Sequence, residues 1–129
     1  ARIRALKLLW QNILHAYDAN NITTISMVST LLAQSLSSDA NTNMIKATTQ
    51  AMSAIISGVD TLIVLPADSY EKKEGTDFSK RIARNVQHLL KMESYLDKVS
   101  DPAAGSYYIE NLTTVLAEKA WKNFQQKST

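Results

Sequence analysis

The sequence contains no cysteine, which excludes disulfides, thiolate metal sites and cysteine nucleophiles. Two histidines leave little material for a zinc site. No apolar run approaches the roughly 18–20 residues that span a bilayer. Fourteen basic and twelve acidic residues give a net charge of +2, without the basic surplus that is typical of nucleic-acid binders. We therefore expect a cytosolic or organellar protein whose partners include neither nucleic acid nor membrane.

Glycine and proline are also scarce, with three and two copies, and helical periodicity fills the gaps between them. Apolar residues recur at spacings of three and four, which predicts helices at about 2–17, 43–57, 77–96 and 106–126. Residues with capping side chains stand at the start of three of these helices: Asn41 or Thr42, Thr76 or Asp77, and Ser106. Gly58 is suited to end the second helix in a left-handed conformation.

Two short segments have the composition of strands. Residues 22–29 are rich in β-branched side chains, and residues 61–65 are apolar on both faces, as buried parallel strands are. Residues 30–40 are left unassigned. Strands that alternate with helices indicate an α/β fold with two to three parallel strands, but a (β/α)8 TIM barrel needs eight strands and about 250 residues. We predict that residues 1–129 form a single segment from the C-terminal portion of such a barrel, a fragment of a larger chain.

No catalytic constellation emerges from the residues alone. His15 has no second metal ligand one helical turn away, and His88 lies between basic residues on a predicted helix, so both favour structural roles. Trp10 and Trp121 are most simply core or interface anchors. The charged side chains of the loop at 67–76 are interpreted as solvated; they are Asp68, Glu71, Lys72, Lys73 and Glu74. We assign no catalytic, cofactor-binding or metal-binding residue.

Three stretches are more specific. They are RIRALKLLW at 2–10, DFSKRIARNVQ at 77–87 and DPAAGSYYIENLT at 101–113, the last followed by LAEKAW at 116–121. Together they closely resemble the methylmalonyl-CoA mutase family, whose acyl-CoA-binding barrel carries the motifs FSxRIARNxQ and DPxGGSYYxExLT. The resemblance covers essentially the whole chain and implies the last part of that barrel, from about the fifth helix to the eighth.

Most residues of these motifs favour structural roles. Pro102 fixes a turn and Gly105 relieves a tight backbone. Ala104 stands where the family motif has glycine, an exchange that is tolerable if this position does not need a positive φ. Arg81 and Arg84 are expected to form ion pairs within the barrel shell or at a subunit contact.

The resemblance also implies where catalytic residues would stand. Catalytic chains of the family end one strand with an Arg-Thr-His-Ser-Gln type of sequence. Aligned on Asn43, those positions are Ile25, Ser26, Met27, Val28 and Ser29. A second strand of catalytic chains carries His-Thr-Asn and then a Glu that holds the adenosyl group. Those positions are Ile63, Val64, Leu65 and Ser69. Leucine cannot hydrogen-bond a ribose, so the chain resembles the small, non-catalytic subunit.

The resemblance implies a bacterial cytoplasmic heterodimer with a large catalytic subunit. This isomerase of propionate metabolism interconverts methylmalonyl-CoA and succinyl-CoA with adenosylcobalamin. The holoenzyme binds the acyl-CoA, whereas this chain alone should be inactive and bind no cofactor. The alternatives are a segment of a related acyl-CoA mutase and a non-enzymatic α/β interaction module. A partial barrel also exposes strand edges. We therefore expect the isolated fragment either to repack its helices over the strands or to self-associate, and we favour self-association through the sheet edge or through the surface of Tyr107, Tyr108 and Trp121.

Overall fold

The computed structural model describes residues 1–17, 25–31, 35–70 and 74–127. These residues form four helices and two strands: α1 (Arg2–Ala16), β1 (Val28–Thr30), α2 (Ala40–Ile56), β2 (Thr61–Ile63), α3 (Asp77–Met92) and α4 (Tyr107–Lys127). The chain divides into two compact units: unit 1 is Ala1–Ser26 with Asp101–Thr129, and unit 2 is Met27–Ser100. The helix-rich α/β class is confirmed, whereas the complete barrel stays a prediction.

Unit 1 consists mainly of α1 packed against α4. The buried positions on these helices are small, namely Ala5 on α1 and Thr113 and Ala117 on α4. Arg4 adds a polar link: its guanidinium donates to both carboxylate oxygens of Asp101 and, over 2.7 Å, to Oε1 of Glu110. The first helix is thereby tied to the turn before α4 and to the first turn of α4 itself.

Unit 2 is built around a parallel pair of strands that α2 connects. Val28 pairs with Thr61, Ser29 with Leu62 and Thr30 with Ile63. Helix α2 contacts both β2 and α3. The core combines aliphatic and small side chains from the residues after each strand and from both helices: Leu31, Ala47, Ala51, Val64, Ala83, Val86 and Leu90.

Both strands are shorter than predicted. The strand expected at 22–29 begins only at Val28; residues 25–27 are not strand, and residues 22–24 lie outside the described residues. The reason is Asp60, whose carboxylate accepts the N–H of Met27 over 2.8 Å and so caps the start of the strand pair. The second strand ends at Ile63 rather than at 65, and Val64, directly after it, still packs in the core.

The helix boundaries confirm two predicted signals and correct two others. Thr76 caps α3, and Gly58 follows α2 with a φ of +82°. The predicted cap of α2 at Asn41 or Thr42 is wrong. Asp39 is the cap, because its carboxylate accepts the N–H groups of both residues, and α2 therefore starts at Ala40.

Helix α3 ends at Met92, earlier than the predicted position near 96. Tyr95 adopts a positive φ of +52°, which continues no right-handed helix. The chain then turns back, so that the Leu96 N–H donates to the Leu90 carbonyl over 3.2 Å and the Leu96 side chain packs against the core. This left-handed residue is the physical reason for the early end of the helix.

The turn at 101–105 matches its prediction in outline. Gly105 has a φ of +77°, but a Cβ placed on it would meet nothing within 4 Å, so its backbone conformation rather than crowding requires glycine. Ala104 does not have a positive φ, which confirms the condition under which alanine is tolerable there. Ser106 directly precedes α4, and its carbonyl accepts the Glu110 N–H over 2.9 Å.

Several large side chains of α4 remain in solvent. Tyr107 and Tyr108 are 93% and 76% exposed, and Trp121 stacks on Phe124 with a centroid distance of 5.6 Å. Self-association through this surface or through a strand edge stays a prediction. None of the described helices is both long enough and apolar enough to cross a membrane.

The Gly105 conformation generates a stability prediction. Gly105→Val should lower the free energy of unfolding by more than about 1 kcal/mol, because a β-branched residue is strained at positive φ. Ala104→Val is the matched control and should change it by less than about 0.5 kcal/mol, since the site is exposed and has no positive φ. Urea denaturation of both variants checks this, and equal effects would contradict it.

Candidate functional site

The carboxyl ends of β1 and β2 meet at one edge of the sheet, because the strands are parallel. Parallel α/β folds bind ligands at this edge, outside the carboxyl ends of the strands. We define the carboxyl edge as residues 31 and 35–38 after β1 and residues 64–70 after β2. It is the first place to look for functional side chains in unit 2.

The structure does not place Ile25–Ser29 at this edge. The first three of these residues precede β1, and Val28 and Ser29 lie within it. Of the aligned positions, Val28 and Ser29 are thus the two residues before the end of β1, whereas the Asp60 carboxylate holds Met27 at the opposite, amino end of the pair. The carboxyl end of β1 is Thr30, followed by the buried Leu31.

The second set of aligned positions does lie at the edge. Ile63 ends β2, and Val64, 8% exposed, packs in the core. Leu65 follows and is half-buried. At Ser69 the hydroxyl donates to the Pro66 carbonyl over 2.7 Å and closes a turn. These positions therefore lie at the end of β2 and in the residues after it, and the one hydroxyl among them is used within its own loop.

Asn43 is the polar residue that organises the edge, although sequence reasoning used it only to anchor an alignment. Its side chain is completely buried near the start of α2. Nδ2 donates to the Ser37 and Ala67 carbonyls, both over 2.7 Å, and Oδ1 accepts from the Ser37 N–H and hydroxyl over 2.8 and 3.1 Å. One amide therefore joins the segments that follow both strands.

A second set of hydrogen bonds closes the loop between β2 and α3. The Asp68 carboxylate accepts the Thr76 N–H over 3.1 Å and the Thr76 hydroxyl over 2.7 Å. Gly75 has a φ of +76°, and a Cβ there would lie 2.6 Å from Pro66 Cβ and 2.9 Å from Asp68 Oδ1. The expectation that Asp68 is simply solvated is wrong, because Thr76 binds its carboxylate. Glu71, Lys72 and Lys73 lie outside the described residues.

Hydrogen bonds also stabilise the ionised forms of two carboxyl groups, those of Asp68 and Asp39. The bonds from Thr76, chiefly that of its hydroxyl, lower the pKa of Asp68 below its ordinary value. The pKa of Asp39 is lowered mainly by the Thr42 hydroxyl. Both carboxylates lie beside a helix N-terminus, where the dipole favours negative charge. Polar groups of the edge thus serve to position the backbone, and no pair of them among the described residues is arranged for nucleophilic or acid–base chemistry.

The other candidate residues are not among those that form the carboxyl edge. His15 is exposed in the last turn of α1, and His88 is exposed on α3. The described part of the chain holds no group of three or more metal-ligating side chains. The expected ion pairs of Arg81 and Arg84 do not form among the described residues; instead the Arg81 guanidinium lies 5.7 Å from the centroid of the Phe78 ring.

Unit 1 carries a groove of about 460 Å³ between α1 and α4. Leucine, isoleucine, alanine and aromatic side chains form most of its wall, and Asn12, Thr114 and Glu118 are its polar members. The groove has no cluster of catalytic groups, so we assign it no chemistry.

Comparison with known proteins gives a consistent result. The family model described as methylmalonyl-CoA mutase matches residues 1–128. A methylmalonyl-CoA mutase small subunit of Porphyromonas gingivalis is 45% identical, over 96% of this chain and 21% of its own length. A methylmalonyl-CoA mutase of Rhizobium meliloti is 37% identical, over 94% of this chain and 17% of its own length.

A large subunit is also similar. The methylmalonyl-CoA mutase large subunit of Propionibacterium freudenreichii subsp. shermanii is 35% identical, over 98% of this chain and 18% of its own length. The chain thus spans about a fifth of the length of these three relatives.

The buried amide at the carboxyl edge generates the second prediction. Asn43→Ala should lower the free energy of unfolding by about 2–4 kcal/mol, because buried groups at Ser37 and Ala67 lose their hydrogen-bond partners. Asn41→Ala, at an exposed position in the same helical turn, is the control and should cost less than about 0.5 kcal/mol. Denaturant titration compares the two variants, and similar losses would show that the amide does not hold the edge together.

The loop closure at Asp68 generates a pH prediction. Because the pKa of Asp68 is lowered in the folded state, its stabilising effect is complete above the unfolded-state pKa of about 3.9. That effect is lost as the pH falls through the folded-state value. Asp68→Asn should therefore lower the Tm at pH 7, and the difference from the wild type should shrink in acid. Melts between pH 3 and 7 test this, with Asp97→Asn as a control of equal charge change. A difference that is constant with pH would contradict it.

Proposed function

The chain belongs to the methylmalonyl-CoA mutase family, and from this membership we propose that it is a segment of the small subunit of a two-subunit mutase. Its identity is 45% to the small subunit of Porphyromonas gingivalis, and it is 35% and 34% to the large and small subunits of Propionibacterium freudenreichii subsp. shermanii. The observation that carries the proposal is the end of β2, where Ile63, Val64 and Leu65 offer no hydrogen-bonding side chain. A catalytic chain of this family needs polar side chains there.

The holoenzyme that we propose interconverts methylmalonyl-CoA and succinyl-CoA in the bacterial cytoplasm. Adenosylcobalamin supplies radical chemistry when it is bound to such an enzyme. The residues present do not fit this cofactor, because His15 and His88 are exposed on helices and neither stands in an Asp-x-His-x-x-Gly setting. We propose that the large subunit binds the cofactor and the acyl-CoA, and that this segment has a structural and assembly role.

Unit 2 supports the further proposal that the segment belongs to a TIM barrel. Its parallel strands with an intervening helix form the repeating unit of that fold. In a barrel, residues 1–129 would form one continuous portion of the C-terminal part. The two-stranded sheet would then continue on both sides into strands that this chain does not contain.

The two alternatives are less well supported. A related acyl-CoA mutase belongs to the same family, but the apolar end of β2 also counts against a catalytic segment of that kind. An interaction module outside the family is contradicted by the match over residues 1–128. Co-purification with a large cobalamin-binding subunit supports our proposal, and a stable monomer that binds no such subunit would contradict it.

The proposal predicts that this chain by itself has no mutase activity and binds no adenosylcobalamin. Isothermal titration of adenosylcobalamin into the chain should give no binding heat, with the large subunit as the positive control in the same buffer. Binding in the micromolar range to the chain alone would refute the assignment of the cofactor to the large subunit.

A further inference from the structure

We draw no further inference here: the strongest candidate, the apolar groove between α1 and α4 that is lined by Leu9, Ile13 and Trp121, carries nothing, because nothing in the structure shows what covers it.

Discussion

The side-chain amide of Asn43 is the interaction on which the carboxyl edge depends. It reaches Ser37 after the first strand and Ala67 after the second, so a single residue near the start of α2 fixes both segments. A completely buried amide is tolerated only when its donors and acceptors are satisfied. No buried side-chain polar atom among the described residues lacks a hydrogen-bond partner. The edge is therefore a fixed structure whose polar groups are used internally, which suits a segment that supports a neighbour's chemistry.

The helices were predicted well, because the features that produce them, apolar periodicity and residues suited to the helix ends, lie close together in the sequence. The 3.6-residue apolar period found all four, and Thr76 and Gly58 marked the ends that they form. Asp39 was missed because the next polar residues looked equally able to cap. The strands were predicted too long, since strand length depends on partners distant in sequence, here the Asp60 carboxylate that ends the ladder at Met27.

The candidate site, like the fold, could be predicted from the sequence only in part. The apolar end of β2 could be predicted, because a strand that is hydrophobic on both faces has few polar residues to present. Of the positions aligned with the other strand end, Val28 and Ser29 lie in β1, whereas residues 25–27 precede it, because the predicted strand began too early. Asn43 gave no signal beyond its polarity, because its burial arises only when Ser37 and Ala67 come together in the folded chain. Motifs identified the family, whereas tertiary packing determined what each residue does.

The construction of unit 1 from two distant segments has a consequence for the order of folding. Arg4 and Asp101 are 97 residues apart, so the contacts between α1 and α4 raise the contact order of the chain. An isolated helix of 15 residues is only marginally stable in water. During synthesis α1 therefore emerges from the ribosome long before α4, and unit 2, whose contacts are more local, can collapse before these two helices meet. The pairing of α1 with α4 is thus expected to be a late step in the folding of this segment.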